Sequence, residues 1–374
     1  MEFCGRISTE PESLAWFVST NINDRLSARD CVANLPIIQL LPEAPTFLTV
    51  NSSSTAAALA LIAEDMRGVD IVISERLDSV VPLVGEVARY IISAGGKRLR
   101  PALLLLVSGA LGARSSERFK LAAVVEFIHT ATLLHDDVVD ASTLRRGRAT
   151  ANETFGNPAS VLVGDFLYSR AFQMMVDGGK MRVMQVLADA TNVIAEGEVL
   201  QLMNMHDASL DEVGYLRVIR SKTAKLFEAS ARLGAIVANS SPDIEESCAS
   251  YGQALGTAFQ VIDDVLDYDG DVSEMGKNLG DDLREGKATL PLIIAMQRGT
   301  PQQRRTIEKA IESGAVEALS DVIAIVRETG ALDATRHAAA TEAQRAVESA
   351  QSLPANPYTA GLIQLAAQLL QRRT

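Results

Sequence analysis

Two short acidic clusters carry the residue types that could do chemistry in this chain. Leu133-Leu134-His135-Asp136-Asp137-Val138-Val139-Asp140 and Phe259-Gln260-Val261-Ile262-Asp263-Asp264-Val265-Leu266-Asp267 each place an Asp-Asp-x-x-Asp pattern after an apolar run. Residues four apart share a helix face, so Asp136 with Asp140, and Asp263 with Asp267, present carboxylates side by side, and Asp137 lies about 100° round from Asp136. Like charges at that spacing repel, and the apolar approach worsens the repulsion unless a cation sits between them. Oxygen donors without His or Cys support suit a hard cation. Mg²⁺ in particular is held by one or two carboxylates together with substrate phosphates. A single such pattern reads equally well as a solvated helix end, but two copies on matching apolar helices do not.

Basic residues gather near these acids. Gly95-Gly96-Lys97-Arg98-Leu99-Arg100-Pro101 sets Lys97 and Arg100 three apart at a helix start, a geometry that suits a diphosphate. Arg145 and Arg146 follow the first acidic cluster, and Lys222-Thr223-Ala224-Lys225 puts a hydroxyl beside an ammonium. Lys277 and Lys287 flank Gly280-Asp281-Asp282 in a glycine-containing segment able to close over phosphates. The composition fits two anionic substrates, one held through metal and one held directly by Lys and Arg.

The elements that must position these groups are helical. From about Ala56 onward the chain is rich in Ala, Leu, Glu, Gln and Arg, with apolar residues at three- and four-residue spacing and no convincing strand. Lys120 to Thr143 lacks Gly and Pro and is apolar on most sides, which predicts one long helix in the middle of a bundle. Thr257 to Tyr268 repeats the pattern and stops at Asp269-Gly270, a turn signal. Residues 1–54, punctuated by four prolines and ending in Asn51-Ser52-Ser53-Ser54, read as a poorly ordered extension, with Met66 as an alternative initiator. A helical domain is expected over 55–374.

The wider composition narrows the function. The chain has 374 residues and a net charge of −12, which argues against a nucleic-acid partner bound through a broad basic surface. Cys4, Cys31 and Cys248 form no paired spacing, so no disulfide framework or zinc cluster is expected and a cytoplasmic setting is the default. No stretch reaches the roughly 20 apolar residues of a membrane helix, and the N-terminus matches neither a secretory signal nor a transit peptide.

Taken in order, GGKRLRP at 95–101, LLHDDVVD at 133–140, RRG at 145–147, GDFLYSRAF at 164–172, EGEVLQL at 196–202, SKTA at 221–224, FQVIDDVLD at 259–267 and GDDLREGKATLP at 280–291 make the chain resemble a trans-polyprenyl diphosphate synthase. The resemblance runs from about Ala56 to the C-terminus. It implies an all-α bundle of the isoprenoid-synthase type around a deep central cavity, with the two aspartate motifs facing each other. It also implies two or three Mg²⁺ ions on Asp136, Asp140 and Asp263, with Asp137, Asp264 and Asp267 in support. Arg145, Lys222, Lys287 and Gln260 resemble contacts to an allylic diphosphate of farnesyl or geranyl type. Thr223 resembles a group that stabilises the developing cation or positions the second substrate. Lys97, Arg100, His129 and Arg146 match the isopentenyl diphosphate site; by its own pattern alone, His129 reads as a core histidine. The reaction implied is ionisation of the allylic C–O bond, attack by the isopentenyl double bond, and loss of a proton, with the departing diphosphate as acceptor.

Within that family, short-chain enzymes carry a bulky aromatic four or five residues before the first aspartate. Ala131 and Thr132 stand there, about 6–7.5 Å down the helix, which implies an open tunnel along Val124, Phe127 and Ile128 and a product of six to ten units. EGEVLQL with SKTAKLFEAS is most similar to bacterial octaprenyl-forming members that make quinone side chains. Homodimerisation is implied by the resemblance, and transient membrane contact is expected from so apolar a product. Two competing readings stay open: a silent partner subunit, which would commonly have lost an acidic motif or the basic site, and a terpene cyclase, which would not need Lys97 and Arg100.

Overall fold

The computed structural model describes residues 58–269 and 279–371. The N-terminal extension and Lys277 therefore lie outside the described residues. The described chain is a bundle of helices: α1 (Ala63–Arg76), α2 (Pro82–Ser93), α3 (Leu99–Ala110), α4 (Glu117–Val139), α5 (Ala151–Phe155), α6 (Asn157–Gly178), α7 (Met181–Met203), α8 (Glu212–Ile219), α9 (Lys225–Val237), α10 (Pro242–Asp269), α11 (Asp281–Arg284), α12 (Leu290–Arg298), α13 (Pro301–Ser313), α14 (Leu319–Glu328), α15 (Ala331–Ala350) and α16 (Pro357–Leu369).

The centre is built by helices that are apolar nearly all round. On α3, Leu103 to Leu106 are all 0% exposed, which only a helix surrounded by others can achieve. Truncating one of them to Ala would cost about 2–5 kcal/mol. Helix α4 buries Val124, Val125, Phe127, Ile128, Ala131 and Leu134 against α1, α3, α6 and α9, while α10 packs on α9 and α15. A second core joins the C-terminal end of α10 to α8 and α12–α15.

Helix α4 stops at Val139, four residues short of the sequence reading. Ala141 takes a φ of 49°, and the Ala141 and Ser142 N–H groups turn back to Val138 and Asp137, closing the last turn in the manner of a left-handed cap. Beyond it the expectation of no strand fails at one small place. Leu144–Arg145 (β1) pairs with Arg148–Ala149 (β2) through the turn Arg146-Gly147, where φ is 54° and 73°, the geometry of a two-residue hairpin with both central residues left-handed.

Candidate active site

Both acidic clusters sit at the C-terminal ends of long helices, α4 and α10. The last carbonyls of a helix carry partial negative charge, so carboxylates there are doubly disfavoured and demand cations. Asp136, Asp140, Asp263 and Asp267 line one cavity of about 670 Å³ together with Lys97, Arg100, His129, Arg145, Arg146, Lys222, Thr223, Gln260 and Lys287. Every site residue expected from the sequence and described by the structure meets there, apart from Asp137 and Ala131.

The second aspartate of each motif turns inward, onto partners of its own. Asp137 is 0% exposed and receives both Arg145 Nε, at 2.9 Å, and Arg145 Nη2, at 2.6 Å. It fixes the guanidinium at the cavity wall. Asp264, 2% exposed although it borders the cavity, accepts from the Tyr215 hydroxyl at 2.6 Å and from Gln260 Nε2 at 2.9 Å. Thr223 donates to Gln260 Oε1 at 3.0 Å, so the carboxamide is oriented from both ends. Thr223 thus acts here on Gln260. Asp267 accepts the Asp281 and Asp282 backbone N–H groups at 3.2 and 3.3 Å, tying α11 to α10.

Burial and crowding are legible in the protonation of these acids. Burial pushes the Asp136 carboxyl up, with Asp140 adding and Lys222 opposing. Asp267 is pushed up to about 9 by burial and by Asp282, and Asp264 also rises far above the carboxylate range through burial and Asp282. Among the described residues no three acidic, His or Cys groups converge into a ready-made metal cage. The donor set nonetheless fits divalent cations that complete their shell with substrate phosphate oxygens, as Mg²⁺ does.

The basic side of the cavity is equally organised. Arg98 and Arg146 both adopt left-handed backbone, at φ 43° and 54°, a strain that clusters at functional sites. Arg100 lies over the Phe227 ring at 4.5 Å and donates Nη1 to His129 Nε2 at 3.1 Å. A guanidinium only donates, so Nε2 bears the lone pair. Burial, reinforced by Arg100, Arg145 and Arg146, keeps the imidazole neutral by holding its pKa well below the usual value. Burial also lowers Arg100 to about 10. Arg100 Nε and Glu126 Oε2 are buried without a hydrogen-bond partner.

Lys222 comes from a π-helical turn, Arg220–Ala224, gripped on two sides by glycines. A Cβ on Gly197 of α7 would stand 2.8 Å from the Lys222 backbone N, and one on Gly256 of α10 would stand 2.7 Å from Ala224 Cα. Only glycine lets three helical segments approach so closely.

An apolar channel of about 890 Å³ leaves the cavity past Thr132, Asp136 and Glu198 and runs between α6 and α7, lined by Tyr168, Phe172, Thr191, Ile194 and Ala195. Most of the α4 residues expected along a tunnel do not line it. Val124, Phe127, Ile128 and Ala131 are fully buried in the core, and of the two chain-length positions only Thr132 faces the channel. Glu198 and Glu285 line the cavity beside Lys222 and Lys287.

Converging cations, paired acidic helices and a long apolar channel define an all-α enzyme for anionic, apolar-tailed substrates. The polyprenyl synthetase family pattern matches residues 81–328. Octaprenyl diphosphate synthase of Escherichia coli K12 is 52% identical over 313 residues, 83% of this chain and 97% of that protein. The geranyl-diphosphate-specific all-trans-nonaprenyl-diphosphate synthase of Rhodobacter capsulatus is 45% identical over 84% of this chain and 97% of that protein. A crystal structure of polyprenyl synthase from Caulobacter crescentus, complexed with calcium and isoprenyl diphosphate, superposes with a TM-score of 0.84 at 45% identity, covering 87% of this chain and all of that one. The chain belongs to the polyprenyl synthetase family. Its activity as a trans-prenyltransferase follows from that membership.

Proposed function

We propose that the enzyme extends an allylic diphosphate with successive isopentenyl diphosphates to an octaprenyl (C40) product, the precursor of a quinone side chain. The observation that carries this reading is the channel: it begins at the first acidic motif, and the small side chain of Thr132 stands one turn before Asp136 on its α4 wall. Asp136, Asp140 and Asp263 would hold Mg²⁺, two or three ions in all, which when bound neutralise the allylic diphosphate as it departs. Arg145, fixed by Asp137, and Gln260, fixed by Asp264, direct their remaining donors at the same group. Lys222 and Lys287 add positive charge beside it.

The second substrate is read as isopentenyl diphosphate on Lys97, Arg100, His129 and Arg146. An anion there would satisfy the orphaned Arg100 Nε, and neutral His129 would orient it without adding charge. Preorganised cations supply the rate, because no covalent enzyme intermediate is needed. The growing chain passes Thr132 into the channel.

A homodimer is supported by the apolar side chains left on α6 and α7, where Leu162 is 66%, Val176 60% and Met203 74% exposed. No helix among the described residues is long and apolar enough to cross a membrane. We read the enzyme as cytoplasmic, with transient membrane contact at product release. The test is incubation of the purified protein with farnesyl diphosphate, labelled isopentenyl diphosphate and Mg²⁺, with products resolved by length. A chelator-sensitive ladder ending at eight units is expected. Termination at one added unit, or no incorporation by folded protein, would overturn the reading.

A further inference from the structure

The two aspartates that face the cavity from the first motif share an arrangement. Lys222 Nζ lies 3.9 Å from Asp136 Oδ1 and only 2.6 Å from Glu198 Oε2. One turn along, Lys287 Nζ lies 3.8 Å from Asp140 Oδ2 and is ion-paired more closely with Glu285. Lys222 is thus drawn to a glutamate of another helix and Lys287 to one two residues before it in the chain, and each ammonium stands just beyond hydrogen-bond reach of an aspartate.

None of these contacts is solvent-screened in the ordinary way. Lys222 and Lys287 are 18% and 19% exposed, and Asp136 and Asp140 are 18% and 14%. A lysine released from its glutamate would find the nearby aspartate the natural partner. It would then compete with a divalent cation for the same oxygens. The close crossing at Gly197 argues that the Lys222 arrangement is built, because it brings Glu198, the next residue on α7, onto the turn that carries Lys222.

We propose that Glu198 and Glu285 are positioning residues that hold Lys222 and Lys287 beside, rather than on, Asp136 and Asp140, so that the carboxylates stay open to divalent cation and the ammonium groups stay available to the diphosphate. The inference rests on the metal and diphosphate reading of the cavity. Asp282 also attracts Lys287, so the Glu285 arm is buffered and the Glu198 arm carries the larger effect.

The test is a Mn²⁺ titration followed by electron paramagnetic resonance, with saturating inorganic diphosphate, on the wild type, Glu198→Gln, Glu285→Gln, Lys222→Met and the Lys222→Met/Glu198→Gln pair. Glu198→Gln should weaken Mn²⁺ binding by about tenfold, the low end of what losing a group that orients a metal ligand costs, and Glu285→Gln by less. In Lys222→Met the Glu198 substitution should have no further effect, because the competing ammonium is gone. In turnover, Glu198→Gln should need more Mg²⁺ for half-maximal rate while keeping its KM for isopentenyl diphosphate. Unchanged Mn²⁺ affinity in Glu198→Gln and Glu285→Gln would overturn the inference. So would an equal loss with and without Lys222, which would reduce Glu198 to one more negative charge near the metal. Should Glu198→Gln not fold, Glu285→Gln with and without Lys287→Met decides the same question. Failure of the wild type to bind Mn²⁺ with diphosphate would instead strike the functional reading itself.

Discussion

The first and second acidic motifs are spelled alike and sit alike, at the C-terminal ends of α4 and α10, yet their surroundings differ in charge. Around Asp136 and Asp140 stand Lys222, Lys287 and Arg145. Around Asp264 and Asp267 stand Asp281 and Asp282, and the partners are neutral: a tyrosine hydroxyl, a carboxamide and two backbone N–H groups. Lysines and an arginine thus offset the charge of the first motif, whereas in the second, burial and the neighbouring Asp282 push the Asp264 and Asp267 carboxyls toward their protonated forms. The first motif also borders the apolar channel, and no α10 residue lines it. The lesson is a division of labour within one repeated pattern: its first aspartate faces the cavity, and its second is spent on holding a neighbouring side chain, Arg145 or Gln260.

Substitutions separate the two motifs. The largest expected effect is loss of turnover in Asp136→Ala or Asp263→Ala, by about 10³-fold or more with the helical fold intact; circular dichroism alongside a rate assay checks both. Asp137→Ala should behave differently. It leaves the Arg145 guanidinium without its buried partner and should cost about 3–5 kcal/mol of stability, seen as a lowered midpoint in denaturant.

The channel assignment gives a third contrast. Thr132→Tyr should shorten the product, whereas Ala131→Tyr overfills the core and should instead destabilise by about 1–3 kcal/mol. An Ala131 variant that is stable and makes shortened product would return the channel to the buried face of α4. Tyr215→Phe removes one of the two hydrogen bonds to Asp264 and should cost about 1–3 kcal/mol, with a modest fall in kcat as Gln260 loses its anchor.

The smallest effect is a pH dependence. Asp267 holds its proton up to about pH 9 in the folded protein, whereas an unfolded chain releases it near pH 4. Its contribution to stability is therefore present below that lower value and lost as pH rises toward 9. Asp267→Asn should make the melting temperature of the ligand-free protein fall less steeply between pH 5 and 9 than that of the wild type.

Much of this was legible in the sequence because helix periodicity alone places Asp136 with Asp140 and Asp263 with Asp267. Motif order then supplied the basic residues. What stayed hidden was tertiary. Nothing in Asp136-Asp137 says which carboxylate faces the cavity, because α4 is apolar on most sides and has no solvent face to break the tie. Arg145 Nε reaching Asp137 decides it. The part played by Glu198 stayed hidden for a related reason: its significance lies in Lys222, brought from another helix. The Arg146-Gly147 turn was the one local signal available for the hairpin. Which face of α4 borders the channel also stayed hidden, because one residue along a helix, from Thr132 to Ala131, is a rotation from cavity to core.

The most direct test of the division of labour is an anomalous-diffraction structure with Mn²⁺ and a non-reactive allylic thiolodiphosphate. The account predicts metal on Asp136, Asp140 and Asp263, with Asp137 still paired to Arg145 and Asp264 still bound to Tyr215 and Gln260. Metal coordinated by Asp137 or Asp264, with those pairs broken, would contradict it.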